Sequence, residues 1–289
     1  MKNNPKVCVL MPVYNGAATI ELALKSLVAQ SYTNWMCVIV NDGSKDGTKE
    51  ILDSLKDTRF KVYHLPQNRG RGYARQFALE HAEGDYLTYL DADDFYHCDK
   101  IKKQVQILEG DKSIYLVSGG ILAFGNDFKP LNVRGCYSLK KSGVFRDGDR
   151  LPIVMPSSMI RLDKARGICY NDKLNAGEDV DYFSRYLNGW HYSNLSDVLL
   201  YYYVGPTTYA KILEYTRNEI KRGCFLTRRN LWAGARLFLG SSLKFMIYAL
   251  CVPFLGVGFF LRKRGKPTPP DVLQEFHNQL TEIRNEAIA

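Results

Sequence analysis

Four short runs of β-branched and aromatic residues, at 6–11 (KVCVLM), 35–40 (WMCVIV), 60–65 (FKVYHL) and 85–90 (DYLTYL), alternate with helix-like stretches. The stretches 18–30, 47–55 and 73–82 carry apolar residues at helical spacing, with Ile20, Leu24, Leu27 and Val28 on one face of the first. Strand, helix, strand in repetition leaves few folds open, because parallel strands need a crossover that packs back on the sheet with one hand. The pattern predicts a doubly wound, mainly parallel α/β sheet. Such sheets bind ligands beyond the C-terminal ends of their strands. The residues of special chemistry fall there: Pro12, Val13, Tyr14 and Asn15 after the first run, 41–44 (NDGS) after the second, 68–71 (NRGR) after the third, and Asp91, Ala92, Asp93 and Asp94 after the fourth.

Residues 113–160 read as further strands and loops punctuated by glycine, followed by a helix at 178–187 and a tyrosine-rich strand at 198–203. From Pro206 the pattern turns helical, and Pro267, Pro269 and Pro270 part an apolar stretch, 245–261, from a last amphipathic helix at 272–287. At 289 residues, 46% hydrophobic and 24% charged, the chain can bury a sizeable core and is neither disordered nor fibrous. Its seven cysteines are an odd number, scattered, with no CxxC pair, which suggests neither a disulfide framework nor a zinc site and fits a reducing compartment best. The apolar run at the N-terminus is broken by Pro12 and Asn15, too soon for a signal-peptide core, so folding is expected to begin in the cytoplasm.

The net charge of +9 is unevenly placed: 205–270 carries +10, 271–289 carries −3 and 1–204 only +2. The basic segment contains the apolar stretch, with Lys244 before it and Arg262, Lys263, Arg264 and Lys266 after it. Basic residues bordering an apolar run suit an anionic membrane surface better than nucleic acid, where they would interleave with polar and aromatic groups along a groove. An interfacial, re-entrant or spanning segment is expected within 237–266.

Asp91 and Asp93, two apart at a strand end, can face one crevice and offer hard oxygen ligands for Mg²⁺ or Mn²⁺ with a diphosphate; taken alone, the same residues make an ordinary Asp-rich turn. Asp42 with Gly43 and Ser44 is open in the same way, and Asp46 or Thr48 could do no more than start a helix. The 68–72 loop (NRGRG) could cradle phosphate or merely connect. No Ser-His-Asp or Cys-His set is evident, and the histidines show no ligand spacing.

Taken jointly, 11–15 (MPVYN), 29–32 (AQSY), 40–48 (VNDGSKDGT), Asn68-Arg69-Gly70 with Ala74-Arg75, Gly84-Asp85-Tyr86, 90–94 (LDADD) and Gly177-Glu178-Asp179 resemble glycosyltransferase family 2, nucleotide-sugar-dependent enzymes of bacterial polysaccharide type with the GT-A fold. The resemblance covers about 6–204 and implies a GT-A domain over 1–204, with a nucleotide-binding half at 1–112 and an acceptor half at 113–204, then a helical membrane-association region at 205–289. It implies that Pro12, Val13 and Tyr14 border the base, that Asp42 hydrogen-bonds it (uracil in most members), and that Asn68 and Arg75 line the nucleotide loop. Asp91 and Ala92 would lie by the ribose, with Asp91 near the metal, and Asp93 would bind the Mn²⁺ or Mg²⁺ that bridges the diphosphate. In the Glu178-Asp179 pair, Asp179 would be the general base of an inverting transfer from a nucleotide-sugar, a UDP-sugar first, to a lipid-linked or glycan acceptor at the cytoplasmic face of the inner membrane.

Two positions depart from the family: Gln76 stands where many relatives have Asn, and Tyr203-Val204-Gly205 where many carry a basic residue near the pyrophosphate. Arg161, Arg166 or Lys211 could substitute. The alternatives are a polyprenyl-phosphate sugar synthase, whose phosphate acceptor needs little help from a base, and a catalytically idle nucleotide-binding membrane partner. A nucleotidyltransferase is disfavoured by the lack of a Gly-rich, Arg-containing signature after the first strand.

Overall fold

The structure, a computed structural model, describes residues 4–136, 139–147, 149–171, 174, 177–206, 208–257 and 265–288. Strands β1 (Val7–Val13), β2 (Trp35–Asn41), β3 (Phe60–His64) and β4 (Tyr86–Tyr89) alternate with helices α1 (Ile20–Val28), α2 (Thr48–Asp53) and α3 (Arg71–Glu80). The strands lie in the order β3-β2-β1-β4 and all pair in parallel. Both faces of β1 are covered. Val7, Val9, Met11 and Val13 pack with Ile20, Leu24 and Leu27 of α1, while Cys8 and Leu10 pack with Ala74 and Ala78 of α3. This double burial is why the run reads as continuously apolar and not as alternating. The strand also runs further than its apolar run, since the ladder with β2 continues through Pro12↔Val40 and Val13↔Asn41.

The second half contributes β5 (Phe95–Tyr96), α4 (Lys100–Gly110), β6 (Ile114–Phe124), β7 (Pro130–Arg134), β8 (Ser142–Val144), β9 (Met159–Arg161), α5 (Leu162–Ala165), α6 (Glu178–Leu187) and β10 (His191–Tyr203). The sheet continues β4-β9-β6-β10-β5. Here it becomes mixed: β9 runs against both β4 and β6, β5 runs against β10, and only β6 and β10 are parallel. The last strand begins at His191, well before the expected 198, because register shifts between Asn194 and Leu200 interrupt its periodicity.

Helices α7 (Tyr209–Thr227) and α8 (Leu231–Leu255) form an antiparallel hairpin. Small residues let the two backbones approach: a Cβ on Gly223 would stand 2.8 Å from Phe238 N, and one on Gly234 would collide with Thr227. The apolar helix therefore starts earlier than the predicted 245–261, at an Asn230 cap whose side chain accepts from Ala233 N at 3.1 Å, and ends at Leu255 where Gly256 takes φ +74. Arg236 and Lys244 had hidden its first half. The end of the predicted stretch and Arg262, Lys263 and Arg264 lie outside the described residues.

Helix α9 (Pro270–Asn285) leaves the hairpin and returns to the sheet. Its Phe276, Leu280 and Ile283 are buried with Phe95, Phe124 and Tyr201. Gln279 Oε1 accepts from Cys98 N at 2.9 Å, and His97 Nε2 lies 2.8 Å from Glu275 Oε1. The expected region 205–289 thus comprises the α7–α8 hairpin and a separate helix built into the α/β body.

Candidate active site

A cleft of about 540 Å³ opens over the C-terminal ends of the parallel strands, and Pro12, Val13, Tyr14, Asp42, Asn68, Arg75, Asp91, Ala92 and Asp93 all line it. Chain turns hold its first wall. Asn15, at φ +52, receives Lys45 N on its side-chain oxygen at 2.9 Å, and its own N–H donates to Ser44 Oγ at 2.9 Å. Thr48 Oγ1 accepts from Gly16 N at 2.9 Å and Asp46 Oδ2 from Ala17 N at 3.0 Å, so these two residues join the first and second strand ends as well as starting α2.

Asp42 is buried, and its two oxygens accept from Arg69 N at 2.7 Å and Gly70 N at 2.9 Å. Its carboxylate therefore shapes the 68–70 loop. Gly43 permits the contact: at φ +68, a Cβ there would stand 2.5 Å from the carbonyl carbon of Gln67. The loop delivers the chain into α3, whose N-terminus places Arg71 and Arg75 on the cleft.

Arg75 is the hub. Its Nη1 donates to Glu178 Oε1 at 2.6 Å and its Nη2 to Asp91 Oδ1 at 3.1 Å. Burial opposes its charge, but Asp91, Asp179 and Glu178 outweigh that and raise its pKa further above the ordinary arginine value. Glu178 is buried, with Oε2 lacking a hydrogen-bond partner, and burial raises its pKa against the pull of Arg75. Asp179 is half-buried at the start of α6, after Gly177 turns the chain at φ +78; its Oδ1 accepts from Val180 N at 2.7 Å. Neither acid of this pair is in the cleft lining, and Glu178 reaches the cleft through Arg75.

Asp93 opens to solvent at the cleft floor, yet the protein crowded around it and the neighbouring Asp91 push its carboxyl up to about 6. Asp94 stands in the same strand-end run, with no role of its own assigned from the sequence. It is buried, Oδ1 accepts from Tyr203 N at 2.8 Å, Oδ2 has no partner, and burial with the charges of Asp93 and Asp91 drives its pKa well up. It therefore ties the acidic loop to the end of β10. Tyr203 in turn lines the cleft and donates from its hydroxyl to Asn126 Oδ1 at 2.8 Å.

The substitutes suggested for a missing basic residue do not serve. Arg161 donates to the carbonyls of Ile114 and Leu108, Arg166 to that of Ala82, and Lys211 to that of Pro206; none lines the cleft. Arg71 does line it, 3.9 Å from Glu178. Its position in the 68–71 run was the available signal. One further group of ligand-type residues, His97, Cys98 and Asp99, lies close together, but His97 Nδ1 accepts from Asp99 N at 3.0 Å and Asp99 accepts from Ser31 Oγ at 2.6 Å. Those atoms are committed to the fold.

The family model described as Glycosyl transferase family 2 matches residues 8–165. Among similar chains, an uncharacterized glycosyltransferase of Haemophilus influenzae is 40% identical over 37% of this chain and 43% of its own length. The provisionally named glycosyltransferase EpsE of Bacillus subtilis is 30% identical over 69% of this chain and 73% of its own. The alignment with the first of these spans less than half of that relative, and one with the provisionally named TuaG of Bacillus subtilis about half, 51%. Among solved structures, S. aureus TarS 1–349 superposes with a TM-score of 0.64 at 20% identity over 96% of this chain and 81% of that one, and has also been solved with UDP and with UDP-GlcNAc. The mannosyltransferase PcManGT of Pyrobaculum calidifontis, in complex with GDP-Man and Mn²⁺, gives 0.62 at 19% identity, over 98% and 87%. At these identities the likeness is one of fold, the GT-A-like mixed α/β sheet.

Proposed function

We propose, for a chain that belongs to glycosyl transferase family 2, that the cleft holds a nucleotide-sugar, a UDP-sugar first, and that the sugar passes with inversion to a hydroxyl of a lipid-linked or cell-surface glycan. The observation that carries the reading is convergence: residues from four separate strand ends, chosen for their chemistry, line one cleft with two carboxylates at its floor. The fold neighbours bound to UDP, UDP-GlcNAc and GDP-Man support a nucleotide-sugar donor.

In this reading Pro12, Val13 and Tyr14 border the base, and the loop held by Asp42 carries Asn68 beside it. Asp91 and Asp93 fit a divalent cation: they offer only oxygens, and burial, with the charge of Asp91 added, raises the Asp93 carboxyl even though Arg71 opposes the shift. Such a metal, Mn²⁺ or Mg²⁺, offsets charge on the departing diphosphate when bound. Arg71 and the N-terminus of α3 add positive potential on the same side. Arg75 orients Asp91 and, through Glu178, fixes the start of α6. Asp179 takes the acceptor proton. Its place outside the cleft lining gives the polyprenyl-phosphate sugar synthase reading its one specific support, since a phosphate acceptor needs no base. The C-terminal hairpin holds the enzyme at the cytoplasmic face of the membrane, supported by α8, the one helix among the described residues long and apolar enough to cross a bilayer, with a mean hydropathy of 1.6 over an 18-residue window.

The deciding experiment is donor turnover across UDP-, GDP- and dTDP-sugars in Mn²⁺, for the native protein and Asp93→Asn. Turnover of one donor that EDTA and Asp93→Asn both abolish is expected; undiminished turnover in EDTA would refute the metal role.

A further inference from the structure

Helix α8 carries an exposed apolar stripe, Trp232, Leu239, Leu243, Met246, Leu250 and Phe254, whose spacing keeps it on one side of the helix. The opposite side is taken by α7: Gly234, Ser241 and Val252 are buried, Lys244 Nζ lies 2.9 Å from Glu219 Oε2, and Tyr209 donates to Ala249 O at 3.0 Å.

Both ends of α8 are tied to the α/β body. Before it, the Arg229 guanidinium lies 3.6 Å from Asp147 and 3.5 Å from Asp181, and Asn230 Nδ2 donates to Asp147 O at 3.1 Å. After it, Lys266 and Val133 exchange backbone hydrogen bonds of 2.9 Å each, and α9 is part of the core. Residues 230 and 266 therefore lie on the same side of any bilayer the chain meets. If α8 crossed, residues 256–265 would have to cross back. As helix they would rise about 15 Å, against a hydrocarbon core of about 30 Å. Fully extended they could reach, but every backbone donor and acceptor would enter hydrocarbon unpaired, together with Arg262, Lys263 and Arg264.

We infer that α8 lies along the surface of an anionic bilayer as an in-plane helix, its stripe sunk into the boundary between headgroups and acyl chains, and does not span. Charge selects lipid over a second copy of this chain as the occupant: residues 205–270 carry +10, which would repel across a symmetric contact and which anionic headgroups neutralise. Because α7 sits on α8 and its Tyr215 stands beside Arg71, an in-plane α8 holds the cleft at a fixed height above the headgroups. The inference rests on the membrane part of the proposed function and not on the transfer chemistry.

The test is fluorescence quenching of full-length protein on phosphatidylcholine–phosphatidylglycerol vesicles whose lipids are brominated near the headgroups or near the chain ends. Native Trp232 is one probe; Leu239→Trp, Met246→Trp and Phe254→Trp, each with Trp232→Phe, are the others. An in-plane helix gives similar quenching at every position, stronger with shallow bromine. Deep quenching at Met246→Trp with shallow quenching at the two flanking sites would overturn it in favour of a span. Absent quenching with sedimentation as a dimer would overturn it in favour of a protein interface. Donor turnover on the same samples reads the glycosyltransferase assignment separately, so its loss with the depth pattern intact sinks that assignment alone.

Discussion

Replacing Arg75 by Met removes the cation that Glu178 and Asp91 share. Glu178 is 1% exposed and its next cation, Arg71, is 3.9 Å away on a half-exposed side chain, so its charge would stand nearly alone in the interior. Breaking a buried ion pair from one side costs about 3–5 kcal/mol. Protonation of Glu178 provides a partial escape, and we expect about 3 kcal/mol, or a fall in Tm of about 5 °C for a chain of this size. The sign with pH follows. The folded Glu178 carboxyl is already raised by burial, and losing Arg75 raises it further. The ionised form is therefore the penalised one, and the penalty develops above the unfolded value and is full above the folded one. Urea unfolding of Arg75→Met against the native protein should thus show a deficit that shrinks from about pH 7 to about pH 5. Adding Glu178→Gln should restore about 2 kcal/mol at neutral pH. A pH-independent deficit that Glu178→Gln leaves untouched would refute the argument, since the loss would then come from packing of the arginine stem and not from a stranded charge.

Asp179→Asn should lower transfer to a hydroxyl acceptor by about 10²-fold with donor affinity nearly unchanged, read as a kcat effect in steady-state kinetics; near-full activity would favour the phosphate-acceptor reading. Gly43→Ala, with φ +68 and a new Cβ against the Gln67 backbone, should displace the loop that Asp42 holds, costing about 2 kcal/mol and weakening UDP binding about tenfold by calorimetry. The pairing of His97 with Glu275 should make α9 docking pH-dependent: burial lowers the His97 pKa, but Cys98 and Glu275 together raise it above its ordinary value. Its contribution is then full below about pH 6.5 and lost as pH rises through the folded value. Glu275→Gln should cost up to about 1 kcal/mol below that range and less above it, measured as the difference in Tm between the two proteins.

The parallel half of the sheet was legible in the sequence because β1, β2 and β4 are buried on both faces and the crossover helices carry apolar residues at helical spacing, so local pattern and global packing say the same thing. The cleft over the strand ends was legible for a related reason. Pro12, Asp42, Asn68 and Asp91 sit at or shortly beyond the C-terminal ends of their strands, and in a parallel sheet all such ends point one way. What the chain could not announce were contacts between residues distant in sequence. Asp94 looks like one more turn aspartate until Tyr203 N is found on its carboxylate at 2.8 Å. Glu178 reads as a helix-start acid, yet it is the buried partner of an arginine more than a hundred positions earlier. Helix α9 reads as an amphipathic tail, and only packing shows that its apolar face completes the core around Phe95 and Phe124. In the in-plane reading of α8, that return also sets the side of a bilayer on which its C-terminal end lies. Hydropathy reports how long and how apolar a segment is, whereas the side of the membrane on which each of its ends must lie is a property of what those ends are bonded to.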